Sequence, residues 1–222
     1  MVSELQETVV YPDSDGKPMA DNTKQFQWIV EIKQNLDWLF AGDPTVFVAG
    51  DLLWYPVEGR PKIRTAPDTM VIFGRPKGDR GSYQQWKEEN IPPQVVFEIL
   101  SPGNTRREMD KKLVFYDRYG VQEYYIYDPD TNNLQGWQKT DDELSAIREM
   151  PDWISPRLKI RFDLSGEVLQ IYYPNGTRFR SFNEINDLLE QERQRAEQER
   201  QRAEELEVLL QQYRDRFGQL PD

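Results

Sequence analysis

The fold of this chain is decided between residues 94 and 129, which read QVVFEILSPGNTRREMDKKLVFYDRYGVQEYYIYDP. The first part, up to Leu100, is apolar and β-branched and predicts a buried strand. Thr105 and Glu108 match the capping-box pattern, so a helix is expected to begin there and to end at Gly120. A second apolar run completes the stretch. Strand, helix and strand in this order predict a right-handed crossover, so at least part of the sheet is parallel.

Each of two apolar runs carries one carboxylate. Glu98 interrupts the strand just described, and Asp68 stands at the start of a similar run, APDTMVIFG, at 66–74. Burying a carboxylate among apolar neighbours costs free energy unless something compensates its charge. A divalent cation held between two such groups would compensate it. Asp68 and Glu98 are therefore candidate metal ligands on adjacent strands, and a buried structural pair is the alternative.

Composition restricts the chemistry that these side chains could perform. The 222 residues include neither cysteine nor histidine, which excludes disulfides, thiolate sites, imidazole ligands and serine–histidine–aspartate triads. Ligation by oxygen alone favours Mg²⁺ or Mn²⁺ over zinc. The net charge of −11 argues against a general nucleic-acid binder, although the carboxylates of a metal site contribute to it.

A lysine is the expected third member of such a site, because a compact cation can hold the nucleophilic water or the phosphate. The strand does not supply it, since Leu100 lies two residues after Glu98 on the same face. In the following helix Lys112 borders the apolar stripe, whereas Lys111 points to the opposite side. We therefore predict that Lys112 reaches the site, with Glu108 one turn earlier as a candidate partner.

Other residues are weaker candidates. Asp51 follows Gly50 before an apolar run, so it is a candidate third metal ligand, with a simple turn aspartate as the alternative. Glu31 falls in the predicted first helix and could approach the site, although most such residues are solvated. Tyr116 is assigned to core packing rather than to base stacking.

The chain divides into three predicted segments. Residues 1–22 form a polar, turn-rich arm, 23–185 an α/β domain, and 186–222 a helical tail. In the tail, QERQRAE at 191–197 is repeated without change at 198–204. Two heptad positions carry the seam: Leu189, Ala196, Ala203, Leu210 and Phe217 on one, and Glu192, Glu199, Leu206 and Tyr213 on the other. Because alanine faces glutamate in the middle, a coiled coil and a solvated single helix both remain open.

Four motifs together resemble the Uma2 family of restriction-endonuclease-like proteins, within the PD-(D/E)xK nuclease superfamily. They are Pro67-Asp68, Val96–Pro102, Lys112–Tyr116 and Gly120–Pro129, and the resemblance covers roughly residues 20–175. It implies a restriction-endonuclease-like mixed sheet flanked by helices. It also implies Mg²⁺-dependent hydrolysis of phosphodiester bonds in nucleic acid, with DNA as the expected substrate, and a homodimer. It assigns metal binding and catalysis to Asp68 and Glu98, and catalysis to Lys112.

The chain departs from the family pattern in three places. Glu108 stands where aspartate is common, Thr23 lies near a common histidine position, and the heptad tail falls outside the shared domain. We expect a cytoplasmic protein that contacts no membrane, because neither a leader pattern nor a spanning stretch is present. The leading hypothesis is a Mg²⁺-dependent (or Mn²⁺-dependent) endonuclease. The alternative is a catalytically inactive nuclease-like scaffold that oligomerises through its tail.

Overall fold

The predicted strand–helix–strand segment lies within a mixed six-stranded sheet in the computed structural model of the chain, which describes residues 9–16 and 18–218. The elements in chain order are α1 (Thr23–Leu39), β1 (Val46–Gly50), β2 (Trp54–Tyr55), β3 (Thr69–Phe73), β4 (Tyr83–Gln84), a 3₁₀ turn (Gln85–Lys87), β5 (Val95–Ile99), α2 (Arg106–Arg118), β6 (Glu123–Asp128), β7 (Asn133–Thr140), β8 (Glu143–Ala146), β9 (Arg161–Asp163), β10 (Gln170–Tyr172) and α3 (Phe182–Phe217). Two compact units, Met1–Phe179 and Arg180–Asp222, contain these elements.

The strands of the main sheet follow the order β1-β3-β5-β6-β7-β8. β5 and β6 pair in parallel through the α2 connection, and the other neighbouring pairs are antiparallel. Two small sheets accompany it, an antiparallel β9–β10 pair and a parallel β2–β4 pair. The predicted α/β class, with a mixed sheet, flanking helices and a long C-terminal helix, is confirmed.

Alternation along the strands gives the sheet two buried faces. On β5, Val95, Phe97 and Ile99 belong to the core that α1 and the β9–β10 sheet cover. Val96 faces the other way, into the core that contains Tyr116 of α2. Because Glu98 has the same parity as Val96, its side chain is directed at α2 rather than at α1.

Local capping fixes the position of α2 along the chain. The Thr105 hydroxyl accepts the Glu108 backbone N–H at 3.3 Å, and the Glu108 carboxylate accepts the Thr105 N–H at 2.9 Å. The helix ends before Gly120, whose φ of 96° lies in the left-handed region that favours glycine. The start and the end predicted for this helix are therefore both confirmed to within two residues.

The second unit consists mainly of α3, a 36-residue helix. Ser181 and Glu184 form a second capping box at its start, and Gly218, with φ of 81°, follows its last turn. Of the helices in the described ranges, none is both long and apolar enough to cross a membrane.

Candidate functional site

Three carboxylates stand side by side at one end of the main sheet. The β1–β3 and β3–β5 ladders both end at Thr69, so Asp51, Asp68 and Glu98 occupy the next cross-strand positions. Neighbouring strands lie about 4.8 Å apart, and the three residues share the parity of the α2-facing side chains. We call these three residues the carboxylate row.

Glu98 is the most enclosed member of the carboxylate row, with 2% of its surface exposed. The Lys112 ammonium donates to its Oε2 at 2.6 Å, and the Tyr116 hydroxyl donates to its Oε1 at 2.5 Å. Lys112 and Tyr116 lie one turn apart on α2, so one helix face supplies both donors. The carboxylate is thus fixed by a cation on one oxygen and a neutral hydroxyl on the other.

Asp68 is also buried, but none of the cationic side chains in residues 9–16 and 18–218 bonds to it directly. The Ile99 backbone N–H donates to its Oδ2 at 2.6 Å. Burial and the neighbouring Glu98 charge raise the pKa of Asp68 well above its ordinary value, against the opposite effects of Lys112 and the Ile99 N–H. A charged Asp68 is therefore costly unless a further positive charge arrives.

Lys112 carries the positive charge of the site. Burial lowers the pKa of its ammonium, but attraction to Glu98 and Asp68 raises that pKa overall. Its side chain is 28% exposed, so part of the side chain reaches solvent while the ammonium bonds to the buried Glu98.

Asp51 completes the carboxylate row from the edge strand β1. Its φ of 47° is left-handed, and its N–H donates to the carbonyls of Pro67 and Asp68 at 3.1 and 3.3 Å. Burial and the nearby charge of Asp15, which belongs to the N-terminal segment, raise the pKa of Asp51. The structure therefore brings Asp51 beside the predicted pair, and it also brings Asp15, which the sequence did not indicate.

Glu108 and Glu31, the two other predicted accessory residues, are not part of the carboxylate row. Glu108 is exposed and its carboxylate closes the α2 capping box, although its charge still contributes to the raised pKa of Lys112. Glu31 lies on α1, and its charge contributes to the raised pKa values of Tyr127 and Tyr173, in the core on the opposite side of the sheet. The site therefore consists of Asp68, Glu98 and Lys112, with Asp51 beside them.

Tyr116 is the side chain whose role the sequence missed. Its ring packs in the core as expected, stacked parallel to Trp54 with centroids 6.3 Å apart. Its hydroxyl, however, reaches Glu98, and burial together with the Glu98 charge raises the pKa of Tyr116 well above its ordinary value. The four-residue spacing from Lys112 was the available signal, because it places both side chains on one face.

The carboxylate oxygens of Asp68 and Glu98 fit a hard divalent cation, although two protein ligands are few. The buried Asp68 and Glu98 lie beside Asp51, and the Glu98 charge contributes to the raised pKa values of Asp68 and Asp51. Across residues 9–16 and 18–218, no group of three or more acidic, histidine or cysteine side chains is close enough to hold a metal ion. Asp68 and Glu98 would thus be two protein ligands, and water or substrate oxygens would complete the shell, as is common for Mg²⁺.

A second buried glutamate, Glu123, lies at the start of β6 on the face opposite to Glu98. It accepts the Tyr125 and Ser155 hydroxyls at 2.9 and 2.5 Å and the Arg157 backbone N–H at 2.6 Å. Burial raises its pKa despite these hydrogen bonds. Its bonds join the loop around Ser155 to the sheet, which indicates a structural function.

Two arginines of the loop between β3 and β5 form ion pairs inside the fold. Arg75 and Arg80 both bond to Glu88, at 2.9 and 2.7 Å, and the Arg80 guanidinium lies 4.0 Å from the centre of the Phe47 ring. These arginines hold the long loop between β3 and β5. By contrast, Arg106 and Arg107, in the first turn of α2, are exposed.

Comparisons with known proteins agree with the motifs. A model of the Uma2 family, described as "Putative restriction endonuclease", matches residues 17–171, a range that contains the carboxylate row and Lys112. Among solved structures, the chain is similar to one described as "a putative nuclease belonging to DUF820 from Anabaena variabilis ATCC 29413". The TM-score is 0.46 at 19% identity, over 63% of this chain and 74% of that chain. No curated protein matches.

Proposed function

This chain belongs to the Uma2 family, described as "Putative restriction endonuclease", and on that premise we propose that it is a Mg²⁺- or Mn²⁺-dependent endonuclease that hydrolyses phosphodiester bonds in DNA. One observation carries the proposal. Asp68 and Glu98 occupy adjacent cross-strand positions on one face, and the ammonium of Lys112, whose side chain is partly exposed, lies 2.6 Å from Glu98.

Asp68 and Glu98 would hold the metal ion. A bound Mg²⁺ or Mn²⁺ supplies Lewis acidity toward a phosphate oxygen and lowers the pKa of a coordinated water. The Ile99 N–H holds one oxygen of Asp68, which leaves the other oxygen of that carboxylate as a candidate ligand. The raised pKa of Asp68 supports this assignment, because a cation would restore the charged form of the carboxylate.

Lys112 and Tyr116 would act on the same centre without binding metal. The Lys112 ammonium would stand beside a phosphate bound at this centre and would stabilise negative charge that develops on the phosphate oxygens. The Tyr116 hydroxyl would keep the Glu98 carboxylate in one orientation through its bond to Oε1. Tyr116 is therefore a positioning residue, whereas Lys112 is a catalytic one.

The distribution of charge supports nucleic acid as the substrate despite the net charge of −11. The carboxylate row contributes three acids that a metal would partly neutralise. Arg106 and Arg107 are exposed on the helix that carries Lys112, where they could contact the phosphate backbone. Phosphate contacts position a duplex but carry no sequence information, so no recognition sequence follows from them.

Cleavage of supercoiled plasmid DNA by the full chain, with Mg²⁺ or Mn²⁺, tests the proposal. Asp68→Asn and Glu98→Gln should each reduce the rate at least about 100-fold, because the metal supplies several kcal/mol and each 1.36 kcal/mol is tenfold. Glu123→Gln is the matched control, a buried strand glutamate outside the site, and should retain activity. Undiminished cleavage by both site variants would remove the assignment.

A metal titration distinguishes the second candidate, a non-catalytic scaffold that oligomerises through α3. That candidate is favoured by the acidic charge and by the lack, in the described ranges, of a three-residue metal cluster. If the chain is a nuclease, Mn²⁺ should raise the melting temperature of the wild type but not that of Asp68→Asn. No shift in the wild type, together with no cleavage, would favour the scaffold.

A further inference from the structure

The helix α3 exposes an apolar seam at both of its ends. Its two heptad positions are occupied between residues 182 and 213 by Phe182, Ile185, Leu189, Glu192, Ala196, Glu199, Ala203, Leu206, Leu210 and Tyr213. We call these ten residues the seam. Its six large apolar members are all exposed, from 40% for Leu210 to 64% for Phe182. Exposed large apolar side chains at heptad spacing, at both ends of one helix, are the pattern of a helix that pairs with another.

The middle of the seam distinguishes between the two ways in which two copies could pair. In a parallel, in-register pair each residue of the seam faces itself, so Glu192 and Glu199 would each meet an identical charge. Like charges facing each other across an interface are unfavourable. The two alanine layers of that arrangement would also bury little surface. A parallel pair would therefore be weakest at its centre.

In an antiparallel pair one heptad position faces the other, and the seam becomes complementary. Centred between residues 197 and 198, the pairing sets Leu189 against the partner's Leu206 and Ile185 against the partner's Leu210. In the same register Glu192 faces the partner's Ala203, and Glu199 faces the partner's Ala196. All six large apolar side chains of the seam then meet apolar ones, and no glutamate of the seam meets another.

The arginines beside the seam do not decide the orientation. Arg195 and Arg202 each directly precede an alanine of the seam, so each would flank a glutamate of the other helix but would also lie close to the other arginine across the pair. In the single chain Arg195 bonds to Glu192 of its own helix at 3.0 Å, with both side chains exposed. Exposed ion pairs contribute little free energy, so the pairing of the seam residues carries the inference. The small alanine leaves room for the glutamate stem to reach the arginine.

From this complementarity we propose that α3 is a self-association surface, which pairs antiparallel with α3 of a second copy of the chain. The register places Leu189 of each helix beside the partner's Leu206, twice per dimer. The exact QERQRAE repeat supports this register, because it supplies the two equivalent alanine–glutamate layers at the centre.

Cysteine cross-linking tests the orientation directly, because the full chain contains no cysteine. Leu189→Cys and Leu206→Cys variants are mixed in equal amounts under reducing conditions and then oxidised. A disulfide-linked dimer should form in the mixture and in neither variant alone. In the proposed pair two copies of Leu206 lie about 26 Å apart, at 1.5 Å per residue, and a disulfide requires less than about 7 Å. A dimer of Leu206→Cys alone would establish the parallel pair and overturn the proposal, and so would no cross-link in any sample.

A matched pair of substitutions tests the surface. Leu206 and Val208 are both exposed, at 59% and 58%, and lie in the same turn, but only Leu206 belongs to the seam. In sedimentation analysis the wild type and Val208→Arg should have twice the chain mass of 26.3 kDa, and Leu206→Arg the mass of a single chain. A wild type that sediments as a monomer, or a Leu206→Arg variant that stays dimeric, would overturn the proposal.

Discussion

Glu98 and Glu123 are buried glutamates on the neighbouring strands β5 and β6, yet the fold surrounds them differently. Glu98 meets one cation and one hydroxyl, and lies beside a second buried carboxylate, Asp68. Glu123 meets two hydroxyls and a backbone N–H, which saturate it with neutral donors. In the first arrangement two carboxylates lie beside one cation, whereas in the second a single carboxyl group has a hydrogen-bond donor for each oxygen.

The difference shows how a candidate metal site is distinguished from a structural carboxylate. A structural carboxylate requires enough donors, and Glu123 has them at the junction between β6 and the loop that contains Ser155. A metal site requires uncompensated charge at a place that solvent can reach, as Asp68 and Glu98 have beside the partly exposed Lys112. Burial alone would not separate the two, since Glu98 and Glu123 are 2% and 1% exposed.

Removing the Lys112 ammonium should have the largest effect on stability and tests whether Glu98 depends on a charged partner. Lys112→Met leaves the Glu98 charge buried without a counter-ion, and we expect a loss of about 2–3 kcal/mol in unfolding free energy at neutral pH. The measurement is urea denaturation without metal. Lys111→Met is the matched control, because Lys111 is exposed on the neighbouring position of α2. Equal losses in the two variants would show that Glu98 does not depend on the ion pair.

The next largest effect should come from Glu123. Glu123→Gln replaces the carboxyl group, which has at most one O–H at pH 4.5, by an amide whose two N–H groups face three hydrogen-bond donors, so we expect a loss of about 2 kcal/mol in unfolding free energy at that pH. Because burial raises the folded-state pKa of Glu123, its stabilising contribution is present below the ordinary value of 4.5 and is lost as pH rises through the raised pKa. The penalty of the substitution should therefore shrink with increasing pH, as measured by denaturation at several pH values. A penalty that grows with pH would contradict this account.

Tyr116→Phe should have the smallest effect on stability, and it tests the hydrogen bond between the Tyr116 hydroxyl and Glu98. The variant keeps the buried ring and removes one of the two donors, so a loss of about 1 kcal/mol in stability is expected. Tyr124→Phe is the control, since Tyr124 is equally buried in the same core and its hydroxyl makes a weak bond to the Met109 sulfur, at 3.9 Å. If Tyr116 positions Glu98, Tyr116→Phe should also weaken Mn²⁺ binding, whereas Tyr124→Phe should not.

Local patterns in the sequence predicted much of the fold. The β5 and β6 strands, the α2 helix and both of its ends follow from apolar runs, a capping box and one glycine, all within 36 consecutive residues. The prediction that Lys112 rather than Lys111 reaches the site used only the 100° spacing of a helix. It stays a prediction as regards catalysis, although the ion pair with Glu98 is present in the fold.

Contacts between segments that are distant in the sequence were not predictable from local patterns. Tyr83 and Gln84 lie in a polar stretch that carried no strand signal, but they pair with Trp54 and Tyr55. Asp15 contributes charge near Asp51 although it belongs to a segment that the sequence described only as an arm. Both contacts join segments that are far apart in the sequence. The hydrophobic periodicity within one segment does not predict which distant segment it packs against.

The sequence by itself determined which atoms could bind a metal, because a chain without histidine or cysteine can offer a metal only oxygen. It also determined the two strands that carry Asp68 and Glu98 and the helix that carries Lys112, because their sequence signals are local. Only the tertiary structure decided that Asp68 and Glu98 stand in one row, since that depends on strand register. It also decided that Tyr116 bonds to one glutamate while Ser155 bonds to the other. Register and packing join residues far apart in the chain, and hydrogen bonds follow from that geometry rather than from residue type.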